Sequence, residues 1–447
     1  MFDVVDAALA RARAQGVKDV EVYAERTTSR RLKVYEQEVE QLTAAERRGI
    51  GVRVFRDGAV GHAYTSDVSP GSIDEVVRRA ADNAAVSDPD EFAALPQPAG
   101  EPAAVDPFDE RLAAATDERR IGLAMAVERA ALDADPRIKT VEDTAYADGE
   151  GEVFLGSSAG VRGSYRANHC YCFAYALAEQ DGQVETGYSF SVARALEDLD
   201  PAMCGREAAE RAVRLLGAAP CASFKGQVLL DPFVAASFFG VLSSALTADA
   251  VQKGRSLFAG REGQTVAGEL LELVDDGTLP DGMDSAPFDG EGVPSRRTPL
   301  IGDGGVLQGF LYDTYTARKA GRSSTGNGLR GSYSGLPGVR PTNLVVSGPA
   351  TPVADILAGV ERGVLVTDAV GVHSGANPIS GEFSVGISGI LIEGGELTTP
   401  VREVTLASDI ISMLTNVRAL GDDARWVPGG SIFTPSVLMD GVAISGT

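Results

Sequence analysis

An uncharged and largely apolar run at residues 232–248 is the feature that most constrains the fold of this 447-residue chain. Its length is at the short limit for a membrane-spanning helix, and Ser237, Ser243 and Ser244 interrupt its apolar residues. We therefore predict a buried helix inside a globular domain. A hydrophobic content of 44% is sufficient to form packed cores around such a helix.

Hydrophobic periodicity and turn signals together predict an α+β protein of two or three domains. The first predicted domain, residues 1–90, contains an antiparallel sheet with flanking helices. Residues 91–110 are rich in Pro, Ala and acidic residues and form a predicted linker. A middle α/β segment at 111–222 and a strand-rich, barrel-like C-terminal domain at 223–447 complete the predicted organisation.

Three Asp-Gly pairs mark predicted turns between alternating segments. They are Asp57-Gly58, Asp148-Gly149 and Asp181-Gly182. This pair favours the tight two-residue turn of a hairpin. Further along the first domain, Ser72 precedes Glu75 by three residues, which is the spacing of a capping box and predicts a helix start at Ser72.

The chain is strongly acidic, with 40 Lys and Arg against 63 Asp and Glu and a formal net charge of −23. Because this field repels nucleic-acid phosphates and anionic lipids, we expect neither nucleic acid nor membrane as a partner. The N-terminal residues have neither the basic nor the apolar segment of a signal peptide. Four cysteines are sparse for this length and fit a reducing compartment, so we predict a cytoplasmic protein.

Two glycine-rich motifs match known signatures, but their surroundings favour loops. Residues 326–331 match the dinucleotide fingerprint G-x-G-x-x-G, yet loop-like residues flank the motif where a strand and a helix are required. Residues 156–160 match G-x-S-x-G with Ser158 in the nucleophile position, but no helical pattern follows. We therefore predict a loop that approaches another group closely in the first case and a hairpin turn in the second.

Neither the cysteines nor the acidic residues have a spacing that marks a site. In a strand, Cys170 and Cys172 would share one face and His169 would point to the other, which leaves a zinc site half built. Asp289 and Glu291 could form a carboxylate pair, but a solvated acidic loop is the preferred interpretation. We predict no metal site in this chain.

Several loop and hairpin segments, strongest after residue 225, have an order and spacing that resemble the TldD/PmbA family. These segments are 288–294, 313–319, 324–330, 341–344, 380–384, 389–397 and 435–438. The resemblance implies one of two subunit types. The catalytic type carries an H-E-x-x-x-H zinc helix and a C-terminal cysteine ligand, and it cleaves peptides in an enclosed chamber. The other type, PmbA or TldE, lacks these zinc residues and pairs with the first.

Aligned on this resemblance, the zinc-helix positions fall at Gly240, Val241 and Ala245. None of these residues can bind zinc or transfer a proton, and no cysteine follows Cys221. The resemblance therefore implies a non-catalytic PmbA/TldE-like subunit without a cofactor of its own. Zinc is expected in a TldD-like homologue, with which this chain would form a dimer that degrades or matures unfolded peptides.

Glycine-rich loops with polar side chains are the predicted peptide contacts, because a sheet edge commonly holds an extended peptide by main-chain pairing. These contacts are Ser324, Thr325, Asn327, Arg330, His373, Asn377 and Ser380. Two other functions stay open at this point. One is a stand-alone hydrolase with non-zinc chemistry, and the other is a homodimeric peptide-binding protein.

Overall fold

The N-terminal part of the chain is built on one six-stranded antiparallel sheet, in a computed structural model that describes residues 1–427 and 431–446. Residues 428–430 and 447 of the predicted C-terminal domain lie outside the described residues. The strand order is β3-β2-β1-β4-β5-β6. The strands are β1 (Asp19–Tyr35), β2 (Glu38–Arg56), β3 (Ala59–Thr65), β4 (Ile138–Ser157), β5 (Arg162–Gln180) and β6 (Gln183–Ala193).

The ranges 1–90 and 111–222 contribute three strands each to this sheet. Strands β1 and β4 join them at its centre, in a continuous antiparallel register from Glu21↔Ser157 to Val34↔Thr144. The backbone hydrogen bonds of this ladder hold the two ranges together as one layer. The domain boundaries themselves stay a prediction.

Helices cover one face of the sheet, because apolar side chains at even-numbered positions near both ends of β1 point to that face and are buried. They are Val20, Val22, Ala24, Leu32 and Val34. Val22 and Val52 pack against the first two helices, and Cys172 and Ala174 pack against the last two. The opposite face carries Tyr23 and faces the C-terminal domain. The helices are α1 (Phe2–Ala14), α2 (Pro70–Val86), α3 (Glu110–Ala113), α4 (Asp117–Ala134) and α5 (Pro201–Leu215).

Two of the three predicted Asp-Gly turns are confirmed and one is wrong. The pairs Asp57-Gly58 and Asp181-Gly182 have positive φ and connect β2 to β3 and β5 to β6. Asp148-Gly149 lies inside β4, where Gly149 is paired with Ser29 on one side and His169 on the other. Pairing with strands on both sides overrides the local turn preference of this dipeptide.

The predicted helix start at Ser72 is also wrong. Helix α2 begins at Pro70, with Ser69 at the N-cap in an extended conformation. Proline at the first helical position has its φ already fixed at a helical value and needs no N–H there, so it begins the helix earlier than the capping-box spacing indicates.

The C-terminal domain contains a closed five-stranded barrel, which confirms the predicted α+β class and barrel-like domain. Its strands are β7 (Phe224–Leu230), β15 (Arg362–Val370), β16 (Glu382–Glu393), β17 (Glu396–Asp409) and β21 (Val437–Ser445), with β21 pairing back to β7. A second sheet has the order β10-β9-β8-β13-β20-β19. The remaining strands are β8 (Glu272–Asp276), β9 (Arg297–Gly302), β10 (Val306–Leu307), β11 (Gly328–Leu329), β12 (Gly338–Val339), β13 (Leu344–Ser347), β14 (Ala350–Thr351), β18 (Val417–Gly421), β19 (Arg425–Trp426) and β20 (Ile432–Thr434).

The predicted apolar helix is helix α6, Pro232–Ala245, and it lies in the core of this domain. The Asp231 side chain caps it by accepting a hydrogen bond from the Val234 amide at 2.9 Å. Phe238, Phe239 and Leu242 are almost fully buried, which stabilises the fold by about 1.5–3 kcal/mol for each side chain. Among the described residues, no helix is long and apolar enough to cross a membrane. The other helices are α7 (Ala248–Gln252), α8 (Thr314–Ala320), α9 (Val353–Ala358), α10 (Val372–Gly375) and α11 (Ile410–Thr415).

Candidate functional site

A cavity of about 1110 Å³ lies between the open face of the N-terminal sheet and the C-terminal domain. Tyr23, Glu25 and Tyr165 line it from strands β1 and β5. The C-terminal domain contributes residues from α6, from the 283–295 loop and from the segments around residues 330, 340 and 379. A concave space of this size with both apolar and charged walls is the kind of place where proteins bind extended ligands.

Helix α6 presents a narrow half-exposed stripe toward this side of the domain. Ser237, Gly240, Val241 and Ser244 recur at helical spacing on the stripe, and Ser244 lines the cavity. A Cβ added to Gly240 would meet only the Ile432 side chain, at 3.5 Å, so this position has room for a side chain. Helix α6 therefore borders the cavity through Ser243 and Ser244, and Gly240 and Val241 lie on the same half-exposed stripe without being among the lining residues.

The zinc-helix positions do not fit a metal. Glycine, valine and alanine supply no ligand atom, and Ala245 is fully buried away from the stripe that carries Gly240 and Val241. Among residues 1–427 and 431–446, no group of three or more His, Cys, Asp or Glu side chains could hold a metal ion. These side chains can line a cavity, but they cannot activate water.

A buried ionic cluster joins the sheet to the C-terminal domain at one end of the cavity. Arg53 donates to both oxygens of Glu21, at 3.0 and 2.6 Å, and to Glu291 at 3.2 Å. Arg330 also donates to Glu21, so two arginines face two glutamates. Burial alone would raise the pKa of Glu21, but the charges of Arg53 and Arg330 outweigh burial and lower it.

Asp289 and Glu291 were predicted to lie in a solvated acidic loop, and this prediction is wrong. Asp289 and Glu291 are both almost fully buried. Asp289 accepts hydrogen bonds from the amides of Glu291 and Val293 at 2.9 Å and of Gly328 at 2.8 Å. Burial and the neighbouring Glu291 charge raise the pKa of Asp289. The loop is a buried junction rather than a surface feature, because its partners come from distant parts of the chain.

The predicted loop at 324–330 forms the wall next to this junction. Thr325 donates to the Asn327 side chain at 2.7 Å, and Asn327 donates to Asp275 at 2.6 Å. Ser324 donates to the Tyr312 carbonyl at 3.1 Å. Arg330 lines the cavity itself while it contacts Glu21. Ser324, Thr325 and Asn327 therefore fix the shape of the loop through hydrogen bonds. Arg330 is the predicted contact residue of this loop that lines the cavity.

The second predicted loop, which carries His373, Asn377 and Ser380, reaches the cavity at the turn formed by residues 377–380. Asn377 accepts hydrogen bonds from the amides of Ile379 at 2.9 Å and Ser380 at 3.2 Å, and Pro378 and Ile379 line the cavity. His373 is exposed on α10 and is not among the described lining residues. The structure thus brings Arg330 and the 377–380 turn to the same cavity and leaves His373 outside it.

Comparison with known proteins identifies the fold family. Sequence profiles of the PmbA/TldA metallopeptidase family match three parts of the chain: domain 1 at residues 20–84, the central domain at 110–216 and the C-terminal domain at 223–446. The chain belongs to the PmbA/TldD metallopeptidase family. The predicted resemblance to the PmbA/TldE-like family is confirmed.

Individual relatives of this PmbA/TldD-family chain include proteins named PmbA and proteins named TldD. Metalloprotease PmbA of Escherichia coli O157:H7 is 29% identical over 96% of this chain and 94% of its own length. A metalloprotease TldD homolog of Haemophilus influenzae is 29% identical over 90% of this chain and 87% of its own length. The crystal structure of TldE from Thermococcus kodakarensis has a TM-score of 0.91 at 23% identity, with full coverage of both chains, and shows the same fold.

Sequence reasoning missed the half of the cavity wall that the N-terminal sheet supplies. Glu25 lines the cavity and accepts a hydrogen bond from the Tyr333 amide at 2.8 Å, but it makes no ion pair with any described residue. Its burial raises its pKa. The alternation Glu21-Tyr23-Glu25 on one face of β1 was the available signal, since acidic and aromatic residues on the face opposite an apolar face indicate a second contact surface.

Proposed function

We propose that this chain is the non-catalytic, PmbA/TldE-like subunit of a two-subunit zinc metallopeptidase. In this proposal it supplies one wall of the chamber that holds an unfolded peptide for proteolysis or maturation, and a TldD-like homologue supplies the zinc. The observation that carries the proposal is the combination of a large cavity with a bordering helix whose zinc positions are Gly240, Val241 and Ala245. Three ligands and a base are needed for zinc hydrolysis, and none is present at these positions.

The walls of the cavity support an extended peptide as its occupant. Aromatic and apolar side chains such as Tyr165, Phe288 and Ile379 line it together with the charged residues Glu25 and Arg340. Side chains of a peptide can pack on the first set, while the two charged residues are available for its polar groups. We propose that the 324–330 and 377–380 loops contribute to the same groove, with His373 at its outer margin.

The four cysteines support a cytoplasmic location as part of this proposal. All four are free thiols in the structure, and Cys170, Cys172 and Cys204 are buried. Burial raises the pKa of Cys170, so its thiol has little reactivity. Unpaired cysteines of this kind are typical of a reducing compartment.

Peptide hydrolysis with separated and mixed subunits tests the proposal. The chain, its H-E-x-x-x-H homologue from the same source, and their mixture would each be incubated with an unfolded peptide, with and without a chelator. We expect cleavage that depends on both chains and that the chelator abolishes. Cleavage by this chain alone that persists after repurification would show a stand-alone hydrolase, and equal cleavage by the homologue alone would show that this subunit is not needed.

Substitutions in the cavity test whether this chain contacts the peptide. Arg340→Ala and Glu25→Gln change cavity side chains, and Arg261→Ala changes an exposed arginine that is not among the described lining residues. We expect the first two to raise KM of the assembled pair several-fold and the third to leave it unchanged. Alanine at Ser324, Asn377 and Ser380 extends the test to the two loops, and an unchanged KM in every variant would place the peptide elsewhere.

A further inference from the structure

The open face of the N-terminal sheet forms the floor of the cavity, and one row of this floor carries an acid beside an aromatic ring. Strands β1, β4 and β5 are in register here, so that Glu25 lies opposite Val153 and Val153 lies opposite Tyr165. Residues that are directly opposite in neighbouring strands share one face of the sheet. The next row of the floor consists of small residues that also line the cavity: Thr27, Gly151 and Ala167.

Two tyrosines line the cavity close to Glu25. Tyr23 is two residues away on the same face of β1, and Tyr165 is in the same row. Arg330 already lies over the Tyr23 ring, 4.9 Å from its centroid, whereas no described cation lies over the Tyr165 ring. Neither tyrosine hydroxyl donates to or accepts from another described residue. The Tyr165 ring and both hydroxyls are therefore available to a ligand.

Glu25 differs from the other acids described in the cavity wall, because it has no side-chain donor. Those acids each contact one: Glu150 contacts Arg166 at 3.5 Å, Asp249 contacts Lys253 at 2.8 Å, and Asp284 contacts Ser431 at 2.6 Å. Within residues 1–427 and 431–446, only the Tyr333 amide donates to the Glu25 carboxylate, and it reaches one of the two oxygens. The second oxygen is left for a ligand in the cavity.

Comparison with Glu21 shows what Glu25 lacks. Both acids lie on the open face of β1, and burial opposes the charged form of both. At Glu21, the charges of Arg53 and Arg330 outweigh burial and lower the pKa. At Glu25, no neighbouring cation offsets burial, and the pKa is raised. A cation beside Glu25 would stabilise its carboxylate as the two arginines stabilise that of Glu21.

We propose that Glu25 and Tyr165 form a subsite for a lysine or arginine side chain of the bound peptide. The subsite rests on the proposed function, which makes a peptide the occupant of the cavity. The carboxylate accepts hydrogen bonds from the cationic head group, and the aromatic ring contacts the same group through its π face. The aliphatic stem of the side chain packs on the small residues of the next row.

Other occupants fit this part of the floor less well. A metal ion needs three or more ligand atoms, and no described group of His, Cys, Asp or Glu side chains provides them. A neutral peptide side chain would cover Glu25 without giving its carboxylate a donor, which costs free energy. An acidic side chain would be repelled by Glu25 and by the net charge of −23. Peptides with a basic residue are therefore the substrate class that this subsite selects.

Binding of two matched peptides to the full-length chain tests the subsite. The peptides carry the same dye and the same uncharged sequence, with a central lysine in one and norleucine in the other. Norleucine keeps the aliphatic stem and lacks the ammonium group. By fluorescence anisotropy, we expect the wild-type chain to bind the lysine peptide about tenfold more tightly. Glu25→Gln keeps an acceptor for the Tyr333 amide and should bind both peptides with the affinity of the norleucine peptide.

A matched variant separates this local contact from attraction by the net charge. Glu269→Gln makes the same change at an exposed position that is not among the described lining residues. We expect it to keep the tenfold preference for the lysine peptide. Because glutamine has the shape of glutamate, both variants should unfold close to the wild-type temperature.

Three results would overturn the proposal. The first is equal binding of the two peptides by the wild-type chain, or no binding of either, since this chain alone supplies every named wall of the subsite. The second is an unchanged lysine preference in Glu25→Gln, and the third is an equal loss of preference in both variants, which would assign it to the net charge.

The peptide-binding experiment and the cleavage experiment can fail separately. Cleavage by the assembled pair, without a lysine preference in this chain, would refute the subsite and leave the proposed function standing. A lysine preference that depends on Glu25, in a chain whose mixture with the homologue does not cleave, would support the subsite and refute the proposed function.

Discussion

Two regions that border the same cavity, called here its two walls, differ in how strongly their residues are constrained. The first is the ionic network around Arg330, and the second is helix α6, which reaches the cavity through Ser243 and Ser244. At one end, Glu21, Arg53, Glu291 and Arg330 form a buried network in which every charge has a partner. Along α6, Gly240 is half-exposed and makes no polar side-chain contact, because it has no side chain. Each charged residue that holds the sheet against the C-terminal domain thus depends on specific partners. The α6 positions that the family resemblance assigns to zinc binding have no such partners.

The difference teaches that shape and chemistry are separable in this fold. A buried charge that loses its partner is strongly destabilising, so each member of the network depends on the others. A small or apolar residue on a half-exposed helical stripe has no comparable dependence. Under the proposed function, a chain that keeps the ionic network and has no zinc ligands on α6 forms the cavity and leaves the reaction to its partner.

The largest expected effect comes from breaking the network. Arg53→Ala leaves Glu21 and Glu291 buried beside each other with only Arg330 nearby, and we expect a loss of about 3–5 kcal/mol in the free energy of unfolding. Denaturant unfolding measures this loss. Arg56→Ala, at an exposed position of the same strand, is the matched control and should change stability by less than about 0.5 kcal/mol. Equal effects of the two variants would show that the network adds nothing specific.

The polar loop next to the network should be the next most sensitive region. Gly326 has φ of +76°, and a Cβ at this position would lie 2.6 Å from the Pro294 carbonyl oxygen. We therefore expect Gly326→Ala to destabilise the fold by about 2 kcal/mol or more. Gly338→Ala is the control, since a Cβ there meets nothing within 4 Å and φ is not positive. Thermal unfolding of both variants gives the comparison, and a stable Gly326→Ala protein would mean that the loop relaxes freely.

The pH dependence of stability tests the buried acid at the base of this loop. Burial raises the pKa of Asp275 to about 7, although hydrogen bonds from Asn327 and Thr342 oppose the shift. The folded state therefore holds a proton between about pH 4 and about pH 7 that the unfolded state has released, so this group makes stability fall as pH rises through that window.

Replacing this acid should flatten that part of the profile. Between about pH 4 and about pH 7, Asp275→Asn should lose on the order of 1–2 kcal/mol less stability than the wild type. Denaturant unfolding at a series of pH values measures the difference. Asp303→Asn removes an exposed acid and should follow the wild-type curve. Parallel curves for Asp275→Asn and the wild type would show that Asp275 ionises normally in the folded state.

How far the sequence predicts this molecule depends on the distance over which each signal acts. The apolar run predicted α6, and the hairpin turns at Asp57 and Asp181 follow from local backbone preferences. The turn predicted at Asp148 is wrong because strands pair with this segment on both sides. Tyr146 and Arg120 also donate hydrogen bonds to the Asp148 carboxylate, at 2.8 and 2.6 Å. Local signals hold until tertiary contacts compete with them.

The candidate site shows the same limit more sharply. The 324–330 loop could be predicted from its own glycines, and the structure brings its Arg330 to the cavity. The acidic loop was expected to be solvated, because nothing near Glu291 in sequence neutralises it. Its partner Arg53 is 238 residues away and reaches it only after the sheet has packed against the C-terminal domain. The same packing supplies Glu25 and Tyr165, which no local pattern connects to the loops.

The smallest expected effect concerns Gly240 on helix α6. Glycine inside a helix costs about 0.5–1 kcal/mol relative to alanine, and the Cβ of an alanine at Gly240 would make only an ordinary contact with Ile432. Gly240→Ala should therefore stabilise the protein by about 0.5–1 kcal/mol, as measured by denaturant unfolding. Gly205 on α5 is the matched helical control, because a Cβ there would lie 2.3 Å from the Val127 carbonyl oxygen, and Gly205→Ala should destabilise the helix pair. If Gly240→Ala instead lowered stability, or stopped peptide cleavage by the assembled subunits, the position would not be vacant, and the contrast between the two walls would have to be abandoned.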